Sequence, residues 1–275
     1  MKSGDEIVEC KAKGKFRNLS LSPVAGDIVD IEKDGDSAVI SKIHPRKNKF
    51  LRPSFANLDL LVMIVSTVDP APNFLVIDKM CAIARHKNVQ VAMVITKTDL
   101  AASEQIGRIY SRAGFPVFFT GRDDGQRLSE LKELMRDKLC AFSGNSGVGK
   151  STLLNKLFPG LNLATGDISK KLGRGRHTTR RVEIFQTDIC MVADTPGFSS
   201  VELDDDNHIS KEDLPHAFIE FEKYLGDCKF SDCSHTGEKG CRIKQAVEDG
   251  EISRSRYESY MTLYERQKNI KEWQL

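Results

Sequence analysis

The stretch GNSGVGKS, residues 144–151, decides how the central part of this chain folds. Its Gly144, Gly149, Lys150 and Ser151 fit the pattern G-x-x-x-x-G-K-[ST]. LCAFS, which is typical of a strand, precedes it, and TLLNKLF, which is typical of a helix, follows it. In that context the backbone N–H groups of the loop and the helix N-terminus form a concave site for anions. The sequence therefore predicts a phosphate-binding loop between a strand and a helix.

The last residues of this loop are expected to have separate roles. Lys150 can reach the β- and γ-phosphates of a nucleotide, and the Ser151 hydroxyl can bind magnesium. An accidental glycine-rich turn is the alternative, and the strand and helix on either side argue against it. The residues expected to line the phosphates are Gly144, Asn145, Ser146, Gly147, Val148, Gly149, Lys150, Ser151 and Thr152.

A second motif, D-T-P-G at residues 194–197, ends the apolar run CMVA. Asp194 is therefore expected at the carboxyl end of a strand, where open α/β sheets bind their ligands. From there it can hold magnesium through a water molecule. The Gly197 N–H can contact the γ-phosphate and move when that phosphate leaves. The pattern D-x-x-G alone usually marks a turn, but its place after a phosphate loop favours the functional interpretation.

The base specificity is indicated by Thr96-Lys97-Thr98-Asp99, which closes the apolar strand VQVAMVI and matches [NT]-K-x-D. The Asp99 carboxylate can accept two parallel hydrogen bonds, from guanine N1–H and from the 2-amino group, whereas adenine offers no such pair. The Lys97 side chain can pack along the base. Together the phosphate and base motifs predict a GTP-binding domain that includes Thr96, Lys97 and Asp99. Thr120 and Gly121, after FPVFF, are a weaker candidate for a second base contact.

The order of the motifs predicts a circular permutation. In conventional GTPases the phosphate loop comes first and the base motif last, whereas here the base motif at residue 96 precedes the phosphate loop at residue 144. A permutation preserves the packed sheet if the original termini were close together. It also places whatever follows Gly197 in direct connection with a segment that senses the γ-phosphate.

The residue that activates water for hydrolysis must differ from that of Ras-like enzymes. Their D-x-x-G motif is followed by a water-orienting glutamine, and Phe198 occupies that position here. The polar segment GRGRHTTRR, residues 173–181, is the expected substitute. His177 is the catalytic candidate, and Thr178 or Thr179 can complete the magnesium shell. The alternatives for this segment are an RNA contact and a solvated basic loop.

A cluster of metal-binding residue types lies near the end of the chain. Cys228, Cys233, His235 and Cys241 have the spacing C-x4-C-x-H-x5-C. Three thiolates and one imidazole complete a tetrahedral zinc site and leave no open position for catalysis. We therefore expect one structural zinc ion, with redox chemistry or coincidence as the alternatives. The other four cysteines lie singly in or beside apolar segments, as small buried hydrophobic residues do.

The pattern of apolar and polar residues along the sequence divides the chain into three parts. The first part contains short strand-like stretches, EIVEC, KGKFR, GDIVDIE and DSAVISKI, which predict a small β-barrel. From residue 58, apolar runs alternate with helical stretches at 74–86 and 128–138, which predicts a parallel sheet flanked by helices. The tail is helical and carries the cysteines. The predicted fold is multidomain α/β, with boundaries at 1–55, 56–200 and 201–275.

Composition excludes some classes of function and leaves others open. The chain has 275 residues, a hydrophobic content of 40% and a formal net charge of +2, so no global field indicates nucleic acid. The longest apolar run, residues 58–68, is shorter than the roughly 20 residues that cross a bilayer. The charged N-terminus lacks the apolar stretch of a secretory signal, so a cytoplasmic, reducing location is expected.

A local basic stripe in the N-terminal part is a second charge pattern that favours RNA. Between Ser41 and Leu58 there is no acidic residue, and on a small barrel such a stripe can follow a phosphate backbone. A solvated linker is the alternative. The candidate RNA-binding residues are Lys42, Arg46, Lys47, Lys49 and Arg52.

With permuted motifs, GRGRHTT, DTPGF and the cysteine–histidine cluster in one chain, the sequence resembles the ribosome small subunit-dependent GTPase family, RsgA (YjeQ). The resemblance covers nearly the whole chain. It implies an N-terminal OB-fold, a permuted P-loop GTPase domain and a helical zinc-binding domain. It further implies binding to the 30S subunit and its 16S rRNA, GTP hydrolysis stimulated by that subunit, and release late in subunit maturation. The family's catalytic histidine corresponds to His177, and we expect a monomer.

Two other classes of function could use the same motifs. A nucleotide-gated binding module would use the same motifs with incidental hydrolysis, and release from the subunit with a non-hydrolysable analogue would distinguish it. A P-loop ATPase would require Asp99 to have no role, which competition between ATP and GTP tests directly.

Overall fold

The computed structural model describes residues 1–3, 6–14, 16, 21–34, 37–51, 53–121, 125–161, 182–194 and 207–268. Five of the residues assigned above to sites lie outside these ranges: Arg52, His177, Thr178, Thr179 and Gly197. No helix among the described residues is both long enough and apolar enough to cross a membrane.

The N-terminal part consists of short strands. β1 (Lys2–Ser3) pairs antiparallel with β2 (Glu6–Ile7); β3 (Cys10–Ala12), β4 (Val29–Asp34) and β5 (Ser37–Ile43) form a sheet in the order β3-β5-β4; β6 (Lys49–Leu51) pairs antiparallel with β7 (Ser54–Ala56). The strand predicted at KGKFR is wrong where it is described, because Gly14 lies in a turn and Phe16 is helical and buried. The β6–β7 pair overlaps the basic stripe, since Lys49 lies in β6, and it was not predicted.

A six-stranded sheet forms the centre of the molecule. Its strands are β8 (Leu60–Ser66), β9 (Gln90–Thr96), β10 (Val117–Phe119), β11 (Leu139–Ser143), β12 (Glu183–Gln186) and β13 (Met191–Asp194), in the spatial order β10-β9-β8-β11-β13-β12. All neighbours are parallel except β12, which runs antiparallel to β13. The parallel sheet and the early place of the base-motif strand β9 confirm the predicted permuted α/β architecture.

Helices cover this sheet and continue into the C-terminal part. The α-helices are α1 (Phe74–His86), α2 (Glu104–Arg112), α3 (Gly125–Met135), α4 (Lys150–Leu157), α5 (Arg242–Glu248) and α6 (Arg254–Lys268); short 3-10 helices span Pro159–Leu161, Leu214–Ala217 and Ile219–Tyr224. The helix α1 has the predicted bounds. Asn73 caps it, and its side chain accepts a hydrogen bond from the Val76 N–H at 3.2 Å.

The central strands are buried on both faces, as parallel sheets between helices are. In β8 every residue is buried, and successive side chains enter different clusters: Leu61 joins the cluster that includes α1 and the C-terminal helices, and Val62 joins the one that includes α3 and α4. The alternation follows from the two-residue period of a strand. The C-terminal part thus shares a core with one face of the sheet.

A buried ion-pair network joins the C-terminal part to the helices beside the sheet. Arg256 of α6 is 1% exposed, and its guanidinium donates to Asp78 of α1 at 2.8 Å and to both carboxylate oxygens of Glu220 at 2.7 and 3.0 Å. Tyr110 of α2 donates to the same Asp78 oxygen at 3.1 Å. The Phe218 ring centroid lies 4.7 Å from the guanidinium. The fully desolvated charges are therefore paired, as buried charges must be.

Hydrogen bonds also fix the connection between the N-terminal strands and the sheet. The Asn48 side chain donates to the Leu58 carbonyl at 2.8 Å and accepts from the Leu58 N–H at 3.0 Å. Asn57 donates to the Gly26 carbonyl at 2.8 Å, and Asp59 accepts from the Leu139 N–H at 2.9 Å. The domain boundary at residue 55 stays a prediction, and that at residue 200 lies outside the described residues.

Candidate nucleotide and metal sites

The phosphate loop follows β11 and leads directly into α4, as the sequence predicts. Gly147 and Gly149 have φ of 82° and 97°, which glycine adopts without steric strain. A Cβ on Gly144 would lie 2.5 Å from the Ile64 carbonyl oxygen, so only glycine fits between the loop and β8. The Lys150 ammonium donates to the carbonyl oxygens of Gly144 and Asn145, at 3.1 Å for the latter. The loop is thus a tight turn with a cation held over it.

The base motif contacts the phosphate loop through Thr96. Its side chain is 5% exposed, and its hydroxyl lies 2.6 Å from the carbonyl oxygen of Val148, to which it donates. A Cβ on Gly149 would meet the Thr96 hydroxyl oxygen at 3.8 Å. The end of β9 therefore braces the phosphate loop from the side. Thr96 and Val148 are 52 residues apart in the sequence, and the parallel sheet brings them together.

The two candidate base-contact segments also lie side by side. Asp99 is exposed, and a Cβ on Gly121 would lie 3.2 Å from its carboxylate. The Thr98 N–H donates to the Thr120 carbonyl at 3.2 Å, which fixes one segment against the other. Lys156 of α4 donates to the Gly121 carbonyl at 2.6 Å. The Asp99 side chain thus lies exposed on a loop that is held by both β9 and the phosphate-loop helix.

Lys97 has the left-handed backbone conformation, with φ of 58°. Its ammonium donates to the Asp69 carbonyl at 2.5 Å, and its own carbonyl accepts from the Thr67 hydroxyl at 2.8 Å. Hydrogen bonds therefore hold Lys97 both at its backbone and at the end of its side chain. A stem fixed in this way offers a defined apolar surface beside Asp99, as a base-packing role requires.

Asp194 ends β13 at the same edge of the sheet as the phosphate loop. The parallel register pairs Ala193 with Ala141 of β11, so Asp194 lies level with Phe142. Ser151 lies half-buried in the first turn of α4. The carboxyl ends of three parallel strands, β9, β11 and β13, therefore carry the base motif, the phosphate loop and the start of D-T-P-G to one edge.

The four predicted metal ligands form a compact cluster. The ligand atoms of Cys228, Cys233, His235 and Cys241 all lie within 4.8 Å of one another. His235 Nδ1 is 3.5 Å from the Cys228 sulfur and 3.6 Å from the Cys241 sulfur. Zinc bonds of ~2.3 Å to sulfur and ~2.05 Å to nitrogen in a tetrahedron give a sulfur–nitrogen distance of about 3.6 Å. The donor set and its geometry therefore fit zinc.

Residues outside the cluster fix the loop that carries His235, which has φ of 60°. The Glu238 carboxylate accepts from the Ser234 hydroxyl at 2.6 Å and from three backbone N–H groups at 2.9–3.1 Å. Burial raises the pKa of this carboxyl, and the hydrogen bonds outweigh burial and lower it to about 2. Tyr257 donates to the His235 carbonyl at 2.8 Å, and Tyr260 to that of Ser234 at 2.7 Å. The helix α6 thus supports the metal loop.

Two of the predicted RNA-binding residues take part in ion pairs. Arg46 donates to Asp27 at 2.6 and 2.8 Å and to the Ser22 carbonyl at 2.9 Å. Lys47 pairs with Asp59 at 2.7 Å. Lys42 is exposed and Lys49 is half-buried. The Arg46 side chain is only 12% exposed, so its guanidinium mainly stabilises the N-terminal strands through its pair with Asp27.

The sequence did not reveal the residues that hold the loops of the nucleotide and metal sites in place. Lys156, Glu238, Tyr257 and Tyr260 hold loops rather than ligands, and each acts through a backbone carbonyl or N–H group. The helix α6 that carries the two tyrosines is deeply buried on one side, where Arg256, Tyr260 and Leu263 are each at most 1% exposed.

Comparison with known sequences matches two family profiles. Residues 43–204 match the RsgA GTPase family and residues 1–40 the RsgA N-terminal domain. The small ribosomal subunit biogenesis GTPase RsgA of Alkaliphilus metalliredigens (strain QYMF) is 38% identical over 265 residues, which cover 94% of this chain and 90% of the relative. The protein of the same name from Clostridium botulinum (strain Loch Maree / Type A3) is 38% identical over 267 residues, 96% of this chain and 90% of the relative.

Comparison with solved structures gives the same result. The crystal structure of YjeQ from Thermotoga maritima superimposes with a TM-score of 0.79 at 34% identity, over 95% of this chain and 90% of that one. The crystal structure of YloQ, a circularly permuted GTPase, also has a TM-score of 0.79. The two chains are 32% identical, and the match covers 98% of this chain and 88% of that one. The permuted architecture is therefore shared along nearly the full length of the chain.

Proposed function

This chain belongs to the RsgA GTPase family and hydrolyses GTP, and from that premise we propose that it binds the 30S ribosomal subunit and couples hydrolysis to its own release late in subunit maturation. The relatives are named for small ribosomal subunit biogenesis, which supports a role in that process. The 16S rRNA is the proposed RNA partner, the chain acts as a monomer, and the place of action is the cytoplasm.

The observation that carries the nucleotide-binding part of this proposal is the hydrogen bond from Thr96 to Val148 across 52 residues of sequence. It joins the base motif to the phosphate loop at one edge of the sheet, so a single nucleotide can contact both. The proposed guanine contacts are Thr96, Lys97 and Asp99. The proposed phosphate contacts are residues 144–152, Asp194 and Gly197.

Magnesium and water complete the proposed hydrolytic site. Ser151 and one of Thr178 and Thr179 bind the ion, and Asp194 holds it through water. His177 positions the attacking water. Replacing His177 with alanine should lower the single-turnover rate of hydrolysis while GTP affinity stays unchanged. An unchanged rate together with unchanged affinity would remove this residue from the mechanism.

The zinc ion is proposed to be structural, held by the three cysteines and His235. The fit of the donor set supports four protein ligands, which leave no position for a substrate. Metal analysis of protein purified without chelators should give one zinc per chain. A Cys233→Ser variant should lose that zinc and melt at a lower temperature. A Cys10→Ser variant, which changes a cysteine outside the cluster, should keep the zinc and the wild-type melting temperature.

Direct connection along the chain supports the coupling of hydrolysis to release. Residues 195–206 link the end of β13 to the C-terminal part, which packs against α1 through Arg256 and Asp78. A change at the γ-phosphate can therefore act on the C-terminal part at its attachment. GTP turnover measured with and without purified 30S subunits tests the proposed partner. We expect strong stimulation, and equal rates would contradict the proposal.

A further inference from the structure

A groove of about 560 Å³ lies between α2 and the start of α6, on the seam between the GTPase sheet and the C-terminal part. Ile109 and Ile252 contribute to its apolar surface, and Gly250 and Ser253 expose backbone along it. Among the described residues, none of the nucleotide-binding candidates and none of the metal ligands lines it. The groove therefore needs its own explanation.

Three arginines line this groove from two separate elements. Arg108 and Arg112 project from α2, and Arg254 projects from the first turn of α6. All three are exposed, and Glu104 is the one acidic residue among the described residues that line this groove. None of the three arginines forms an ion pair with a carboxylate within the described ranges. Their charge is therefore available to a ligand.

The placement of these charges suits a phosphodiester chain. Arg108 and Arg112 are four residues apart on one helix face, about 6 Å along the axis, so they can contact neighbouring phosphates of one strand. Arg112 also donates to the Gly250 carbonyl at 3.2 Å, which fixes its position across the groove. Guanidinium groups bind phosphate through paired, charge-assisted hydrogen bonds. An apolar floor between them accommodates a sugar or the face of a base.

The groove continues into a second one of about 500 Å³ that runs between α5 and α6. Arg254 and Val247 line both, so Arg254 lies where the two meet. Tyr257 lines the second groove, and its hydroxyl holds the carbonyl of the metal ligand His235. Two joined grooves favour an extended polymer over a compact small molecule. A strand that follows them would contact the same tyrosine that supports the metal loop.

We propose that this arginine groove, defined by Arg108, Arg112 and Arg254, binds the sugar-phosphate backbone of RNA. The inference rests on the proposed function, because the RNA concerned is that of the small ribosomal subunit. It adds a binding surface on the seam between the GTPase sheet and the C-terminal part, separate from the basic stripe of the N-terminal strands. RNA bound there contacts both parts at once.

The test compares full-length R108Q/R112Q/R254Q with a control that loses the same charge. In the control, Arg127 and Lys132 of α3 and Arg136, which follows that helix, become glutamine, and α3 packs on the opposite face of the sheet. Affinity is measured for purified 30S subunits and for protein-free 16S rRNA, over a range of salt concentrations with a non-hydrolysable GTP analogue. R108Q/R254Q, which keeps the Arg112–Gly250 contact, serves if the triple variant is unstable.

We expect the groove variant to bind both probes about tenfold or more weakly. The slope of log affinity against log salt should fall by about 2, because each of the three lost phosphate contacts removes roughly 0.7 on a single strand. Basal GTP hydrolysis and the melting temperature should stay at the wild-type values, and the control should bind within about twofold of wild type.

Other outcomes would overturn the proposal or separate it from its premise. Unchanged affinity and salt slope would overturn it. Weaker binding to subunits with unchanged binding to protein-free rRNA would assign the groove to an acidic protein and also overturn it. If the wild-type chain fails to bind subunits yet binds rRNA through the groove, the proposed function fails while the RNA site stands.

Discussion

The nucleotide-binding edge of the sheet and the attachment of the C-terminal part are built from different kinds of contact. At the nucleotide edge, backbone geometry and the parallel register set the positions, as Gly144 against Ile64 illustrates. At the attachment, one side chain, Arg256, meets a carboxylate that lies 178 residues earlier in the chain. The difference teaches that the first region is encoded by local patterns, whereas the second depends on a partner that no local pattern identifies.

The largest effect is expected from breaking the attachment. Arg256→Met leaves the buried Asp78 and Glu220 carboxylates without their cation, which costs about 3–5 kcal/mol when one partner of a buried pair is removed. Chemical denaturation should show this loss in the free energy of unfolding. Arg266→Met, an exposed change on the same helix, should cost less than about 0.5 kcal/mol. A loss below 1 kcal/mol for Arg256→Met would show that the ion pairs of Arg256 with Asp78 and Glu220 contribute little to attaching the C-terminal part.

A change at the nucleotide edge should instead leave stability intact and alter specificity. Asp99→Asn replaces an acceptor with an amide that presents a donor to guanine, so GDP affinity should fall on the order of 100-fold. The same amide can donate to the 2-oxo group of xanthine, so affinity for XDP should rise. Titration with both nucleotides measures this exchange. Equal losses for the two would mean that Asp99 supports the loop without contacting the base.

The smallest effect is expected where the two motifs touch. Thr96→Val keeps the shape of the side chain and removes the hydrogen bond to the Val148 carbonyl, which should lower stability by about 1 kcal/mol. Nucleotide affinity should fall a fewfold because the phosphate loop loses its brace. Thr262→Val, exposed on α6, should change neither quantity. Wild-type affinity in Thr96→Val would show that the loop is held by its glycines alone.

Much of the central fold could be predicted from sequence because its signals are short and strong. Continuous apolar runs predicted β8, β9, β11 and β13, and the phosphate loop lies at the predicted strand–helix junction. The cysteine spacing predicted a cluster that the structure brings within 4.8 Å. In each case the residues that determine the feature are close in sequence, or belong to strands whose parallel pairing follows from the fold class.

The rest could not be predicted because it depends on distant partners. The positive charge of Arg46 indicated RNA, and only the structure shows its pairing with Asp27. Arg256 was one charge among many in a helix with acids and bases, and its burial comes from Phe218 and the carboxylates around it. The strand predicted at KGKFR failed since a short polar stretch with glycine carries little information about pairing.

The most direct test of the account measures release of the wild-type chain from purified 30S subunits by sedimentation. Complexes formed with a non-hydrolysable GTP analogue are compared with complexes formed with GTP. We expect the chain to stay bound with the analogue and, with GTP, to leave the subunit at the rate of hydrolysis. Release at the same rate with both nucleotides would contradict it, because hydrolysis would then have no part in leaving the subunit.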